Sequence, residues 1–166
     1  MLKLNVMKFI FDIHIEIPNP QKILLLDRDG VIIRDTGYPY LKSKIIFEEK
    51  NIKNIIKIKN IFPYDSCGFI TNQSGVARNI FTEEEFWECH KFIMQKCHEL
   101  GLIINFTAVN FFKNDSYFRK PDSGMIEQTK MFFNAKNKNL LFIGDRKTDR
   151  LAADKSGIKF LNINKI

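Results

Sequence analysis

Near the start of the chain, apolar and polar positions alternate. Phe9, Phe11, Ile13, Ile15 and Ile17 fall on one side of an extended segment, and Lys8, Asp12, His14 and Glu16 on the other. A period of two predicts a half-buried strand, closed by Pro18-Asn19-Pro20. Lys22-Ile23-Leu24-Leu25-Leu26 follows without alternation, as in a parallel strand covered on both faces. Ile52, Ile55 and Ile56 have helical spacing, and Cys67-Gly68-Phe69-Ile70 predicts the next strand. Thr82 with Glu85 forms a capping box, and Phe81 with Phe86 a hydrophobic staple. That helix carries Phe86, Ile93 and Leu100 on one side and stops at Gly101. Further on, the pattern predicts a strand within 103–111, a helix from Asp122 or Ser123, a strand over 140–143, a helix over 148–156 ended by Gly157, and a last strand over 158–163. Strands alternating with helices predict an α/β domain with a mostly parallel sheet covered on both faces. Ligands of such sheets bind where strands end at their carboxyl side.

A length of 166 residues predicts one domain. The alternating strand within 1–20 is an N-terminal extension to a domain over 21–166. Cys67, Cys89 and Cys97 form no CxxC pair and predict a reducing, cytoplasmic setting. The first eight residues lack the long apolar core of a signal peptide, and no apolar run approaches the ~20 residues of a membrane span. A net charge of +7 permits a nucleic-acid partner, but the lysines are scattered among Asn, Ile and Phe, without a dense basic run or an aromatic RNA-binding signature. Nucleic acid is therefore disfavoured, and the field serves a phosphorylated small molecule equally well.

Four polar clusters each follow a predicted strand. Asp27-Arg28-Asp29-Gly30 places two carboxylates at a turn, suited to holding Mg2+ through oxygen, to nucleophilic attack and to proton transfer. Thr71-Asn72-Gln73-Ser74-Gly75 offers a hydroxyl, amides and backbone N–H groups for phosphate oxygens. Arg119-Lys120-Pro121 brings two cations, and Gly144-Asp145-Arg146-Lys147-Thr148-Asp149 two more acids at a helix start. Taken singly, each has a plainer reading: a turn or cap for the first, a polar turn for the second, a solvated basic pair for the third and a helix start favouring acids for the fourth. Together they supply the nucleophile, acid–base, metal and charge neutralisation that phosphoryl transfer needs. A carboxylate approaching a phosphate meets repulsion of ~4 kcal/mol per charge pair at 4 Å and an effective dielectric of 20. Mg2+ and Lys120 would cancel it. No GxxxxGK[ST] loop is present, which disfavours a P-loop ATPase.

In this order, DRDGV from Asp27, TNQSGVAR from Thr71, RKP from Arg119 and GDR-x-x-D from Gly144 resemble the four motifs of the haloacid dehalogenase superfamily. The forms are similar to those of D-glycero-D-manno-heptose 1,7-bisphosphate phosphatases and histidinol-phosphatases. The resemblance covers roughly residues 22–163. It implies a three-layer Rossmann-like fold without a large cap domain, and an Mg2+-dependent phosphomonoesterase of carbohydrate metabolism. It also implies that Asp27 forms an aspartyl-phosphate, while Asp29 protonates the leaving oxygen and then activates water. Asp27, the backbone carbonyl of Asp29 and Asp145 would hold Mg2+, and Thr71 and Lys120 would stabilise the phosphoryl group. Arg119, Asn72, Gln73, Ser74 and Arg146 would contact substrate, as would the flap Asp35-Thr36-Gly37-Tyr38. TNQSGVAR and the flap favour the heptose branch, whereas GDRKTD is closer to histidinol-phosphatase. A nucleic-acid 3′-end phosphatase and a non-enzymatic binding module are the remaining alternatives.

Two features depart from the family pattern. Residues 110–118, where relatives commonly carry a Cys/His zinc loop, contain neither residue type, so no structural zinc is expected. Cys89-His90 and Cys97-His98, two turns apart on a predicted helix, are expected to pack or face solvent. The other departure is the N-terminal strand, which could extend the sheet or mediate a homodimer; the chain is expected to be a monomer or homodimer.

Overall fold

The computed structural model describes residues 3–6, 9–114 and 117–166, the first four as backbone only. Lys8 of the alternating segment, part of the leading segment and Asp115-Ser116 of the loop over 110–118 lie outside the described residues. In chain order the elements are β1 (Lys3–Val6), β2 (Phe9–Ile13), β3 (Ile23–Leu26), α1 (Glu49–Ile58), β4 (Ser66–Asn72), α2 (Glu83–Glu99), β5 (Phe106–Asn110), α3 (Gly124–Phe133), β6 (Leu140–Gly144), α4 (Lys147–Ser156) and β7 (Lys159–Asn162).

One seven-stranded sheet has the order β1-β2-β5-β4-β3-β6-β7. Strands β3 to β7 run parallel to one another, while β2 is antiparallel to both β1 and β5. In β3, Leu24 and Leu26 face one core with α1 and α2, through Ile52, Ile55, Cys89 and Ile93. Ile23 and Leu25 face the other with α3 and α4, through Met125, Ile126, Ala152 and Ala153. This is the expected three-layer arrangement, and both faces of β3 are dry. Thr82 and Glu85 make the reciprocal bonds of the capping box at the start of α2.

The amino-terminal segment differs from its expectation in three ways. In place of one strand there are two paired strands, which extend the sheet, one of the two roles expected for the segment. β2 stops at Ile13, and Ile15 is 49% exposed instead of lying on the apolar face. Asp12, expected on the wet face, is only 6% exposed. The reason is position: β2 is paired on both edges and covered on both faces, so alternation no longer separates core from solvent. No described helix is long and apolar enough to cross a membrane.

Candidate active site

The site is built where the parallel strands end. Asp27 follows β3, and its N–H donates to the Ile143 carbonyl at 2.9 Å, so the β3–β6 pairing delivers it to the carboxyl rim. The chain then turns tightly: Ile32 N–H bonds to Arg28 O at 2.9 Å and Gly30 N–H to Ile33 O at 2.8 Å. Gly30 adopts φ +94°, and a Cβ there would lie 2.3 Å from Asp145 Oδ2. Only glycine lets this turn approach the aspartate at the end of β6.

Lys120 arrives from the loop between β5 and α3. The Asn72 side chain brackets its backbone, donating to Lys120 O at 3.0 Å and accepting from Lys120 N–H at 3.2 Å. Its Nζ lies 2.8 Å from Asp27 Oδ1 and 2.6 Å from Asp149 Oδ1, with the residue only 4% exposed. Asp149 sits in the first turn of α4, where its Oδ2 accepts from Arg146 N–H at 3.0 Å. Oxygens of Asp27, Asp145 and Asp149 all fall within 4.8 Å of one another. Asp145 Oδ1 is buried without a hydrogen-bond partner. An all-oxygen donor set with such an orphaned atom fits a hard divalent cation such as Mg2+.

Burial, helped by the charges of Asp149 and Asp29, pushes the Asp27 carboxyl up to about 7 against the pull of Lys120. Burial also raises Asp145, with Asp149 adding to it. Lys120 goes the other way: desolvation opposes its charge, but Asp149 and Asp27 together override that and hold it firmly protonated. The three carboxylates and one ammonium leave excess negative charge for a metal ion to neutralise.

The other expected site residues divide into three groups. Asp29, Asp35, Gly37, Asn72 and Arg146 join Asp27, Lys120 and Asp149 around a polar cavity of about 80 Å³. The Asp29 carboxylate is held by Arg28, with Nε at 3.0 Å and Nη2 at 3.1 Å, and by Gln73 Nε2 at 2.6 Å. Arg146 pairs with Asp35 across the mouth. Behind the wall, Thr71 is buried and accepts from Gln73 Nε2 at 2.9 Å, and Ser74 is buried. Thr71, Gln73 and Ser74 are not among the residues that line the cavity. Thr36, Tyr38 and Arg119 also lie outside its lining; Tyr38 is exposed, and Arg119 donates to the Phe112 carbonyl at 3.1 Å.

Two residues carry more of the site than the sequence assigned to them. Asp149 is the counter-ion of Lys120, and its signal was the last position of GDR-x-x-D. Arg28 is buried over the Phe86 ring at 5.2 Å and fixes Asp29; its place between two acids in DRDG was the available clue. The Cys/His pairs of α2 form no metal cluster among the described residues: Cys89, His90 and Cys97 are buried, and His98 is exposed.

The family model for haloacid dehalogenase-like hydrolases matches residues 88–163. The D-glycero-alpha-D-manno-heptose-1,7-bisphosphate 7-phosphatase of Photorhabdus laumondii is 30% identical over 149 residues, covering 84% of this chain and 80% of that protein. The chain belongs to the haloacid dehalogenase-like hydrolases. As a phosphatase of this family, it also resembles the histidine biosynthesis bifunctional protein HisB of Legionella pneumophila, at 31% identity over 87% of the chain but only 42% of that longer protein. Among solved haloacid dehalogenase-like structures, a protein of Mesorhizobium loti covers 93% of this chain and 78% of its own, with a TM-score of 0.81 and 23% identity. The D,D-heptose 1,7-bisphosphate phosphatase of B. bronchiseptica, solved with magnesium and phosphate, covers 84% and 78%, with a TM-score of 0.75 and 22% identity. At those identities the likeness speaks for the fold.

Proposed function

We propose that this chain is a cytoplasmic, Mg2+-dependent phosphomonoesterase that removes the 7-phosphate of D-glycero-D-manno-heptose 1,7-bisphosphate through an aspartyl-phosphate on Asp27. The observation that carries the reading is Asp27 itself: a buried carboxylate at a strand end, touched by Lys120 and flanked by Asp145 and Asp149. Asp27 attacks phosphorus as the bond to the leaving sugar oxygen breaks. Asp29, held in place by Arg28 and Gln73, gives that oxygen its proton. Asp29 then takes a proton from water, which attacks the phosphoryl group and frees Asp27 with release of inorganic phosphate. Lys120 stays beside Asp27 throughout and meets the negative charge that develops on the transferring oxygens. Asp27, Asp145 and the Asp29 carbonyl would hold Mg2+, with Asp149 beside them, and the ion would supply charge neutralisation during attack. Thr71, from behind, orients Gln73 and so the acid–base. Arg146, Asp35 and the exposed Tyr38 at the mouth, with Arg119 nearby, would recognise the sugar.

Histidinol phosphate is the second reading, favoured by the HisB relatives and by GDRKTD. Phosphate release from both anomers of heptose bisphosphate, from histidinol phosphate and from a 3′-phosphorylated oligonucleotide, with and without Mg2+, ranks the substrates. Heptose bisphosphate should turn over fastest, and only with the metal. Asp27→Asn should lower kcat by at least ~10⁴-fold. An undiminished rate in that variant removes Asp27 as nucleophile.

A further inference from the structure

Lys120 reaches the site from a loop rather than from a strand or helix, so its precision depends on what holds the loop. Residues 111–120 contain no cysteine or histidine, and no N/S metal clamp can form there. Downstream, Asn72 brackets the Lys120 backbone. Upstream, the Phe118 ring lies flat on Phe9, with centroids 4.1 Å apart and planes 5° from parallel. Phe9 is fully buried and stands opposite Asn110 at the carboxyl end of β5, so this stack sits at the catalytic rim. Between stack and helix the chain is tight: Gly124 N–H bonds to Tyr117 O at 2.9 Å, and a Cβ on Gly124 would come within 2.3 Å of that oxygen. A segment pinned at Phe118 and closed at Gly124 leaves Lys120 little freedom.

We infer that Phe9 is a positioning residue: through its stack on Phe118 it fixes residues 117–120 and holds the Lys120 ammonium between Asp27 and Asp149. The inference rests on the reading of Lys120 as the cation that meets the transferring phosphoryl group. It makes the N-terminal hairpin a support of the active site, reaching the chemistry from the far edge of the sheet. A misplacement of about 1 Å in a catalytic group can cost about 10²-fold in rate. Removing the stack should therefore act on turnover and not only on folding.

The test uses p-nitrophenyl phosphate with Mg2+, rates being scaled to the folded fraction. Phe118→Ala and Phe9→Ala should each lower kcat between ten- and a hundred-fold while KM moves less than about threefold. The double variant should be no worse than the poorer single one, because both remove the same contact. Phe118→Tyr, which keeps the ring, should restore the rate. Phe11→Ala removes comparable packing in the same strand, against Phe106 and Phe133, and should cost stability alone. If Phe9→Ala does not fold, the half-buried Phe118 still carries the test. Unchanged kcat in Phe118→Ala, or additive losses in the double variant, overturn the inference. Should the wild-type protein release no phosphate, the function falls, and amide exchange decides the anchor separately. Faster exchange over 117–120 in Phe118→Ala supports it, and unchanged protection overturns it.

Discussion

At the carboxyl rim of the sheet, a buried ammonium keeps its charge; at the opposite rim, two imidazoles shed theirs. The first rim gathers Asp27, Asp149 and Lys120 around about 80 Å³, with Asp145 beside the two aspartates. The second has a cavity of about 740 Å³ between Trp87 and Met94 on one side and Phe132 and Phe133 on the other. There His14 and His90 both bond through Nε2 to the Thr107 hydroxyl at 2.8 Å. Burial lowers both imidazoles below their ordinary range, despite the Asp12 carboxylate beside His14. Lys120 is about as buried as His90, yet two carboxylates keep it charged. Convergent opposite charges, and not roominess, separate the rim that keeps a buried cation from the one that does not.

Lys120→Ala should break that contrast most severely. With the ammonium gone, kcat should fall roughly 10²–10³-fold, the scale of losing one transition-state donor. Unpaired Asp27 and Asp149 should also cost ~3–5 kcal/mol in a urea melt. A variant that keeps its rate would place the decisive cation elsewhere.

A pH series of melts sharpens the comparison. Without metal, folded Asp27 holds its proton from the usual 3.8 up to about 7. In that window the native state binds more protons than the unfolded one, so the contribution of Asp27 is present at the acid end and is lost as pH rises through about 7. Mg2+ favours the carboxylate, so its stabilising effect should grow across the same window. Asp27→Asn should flatten the metal-free slope. At the other rim the sign reverses: for His14, stability is present above 6.5 and lost as pH falls below it, because the unfolded imidazole takes the proton more readily. His14→Gln should reduce this acid-side loss. It should leave kcat at neutral pH within about twofold, as for a substitution remote from the chemistry.

The smallest effect expected is for Lys91→Ala, whose side chain lines the large cavity. Stability should move by no more than ~0.5 kcal/mol and turnover not at all. A clear rate change would give the large cavity a part in catalysis.

How much of this was legible in the sequence depends on the kind of interaction. A continuous apolar run exposed β3, and patterning within one element exposed α2 and α4, because burial there is set locally. Patterning misjudged Asp12, whose burial depends on a partner strand in the second half of the chain. It passed over β1, whose Lys3-Leu4-Asn5-Val6 alternates for four residues only. The motif residues Asp27, Lys120 and Asp145 were readable because each ends or follows a strand. The partnership of Lys120 with Asp149 was not, since only the closed sheet brings the loop before α3 over the start of α4. The same holds for Phe9 and Phe118, where the added strand and the loop without metal ligands turn out to touch.

The antiparallel pairing of β2 with β5 has a consequence for biogenesis. His14 and Thr107, which meet across it, are 93 residues apart in the chain. At translation speeds of 5–20 residues per second, β2 leaves the ribosome roughly 5–20 s before its neighbour exists. During that interval Phe9 and Phe11 have no sheet to join, and nascent chains would be most exposed to chaperones and to misassociation over this stretch.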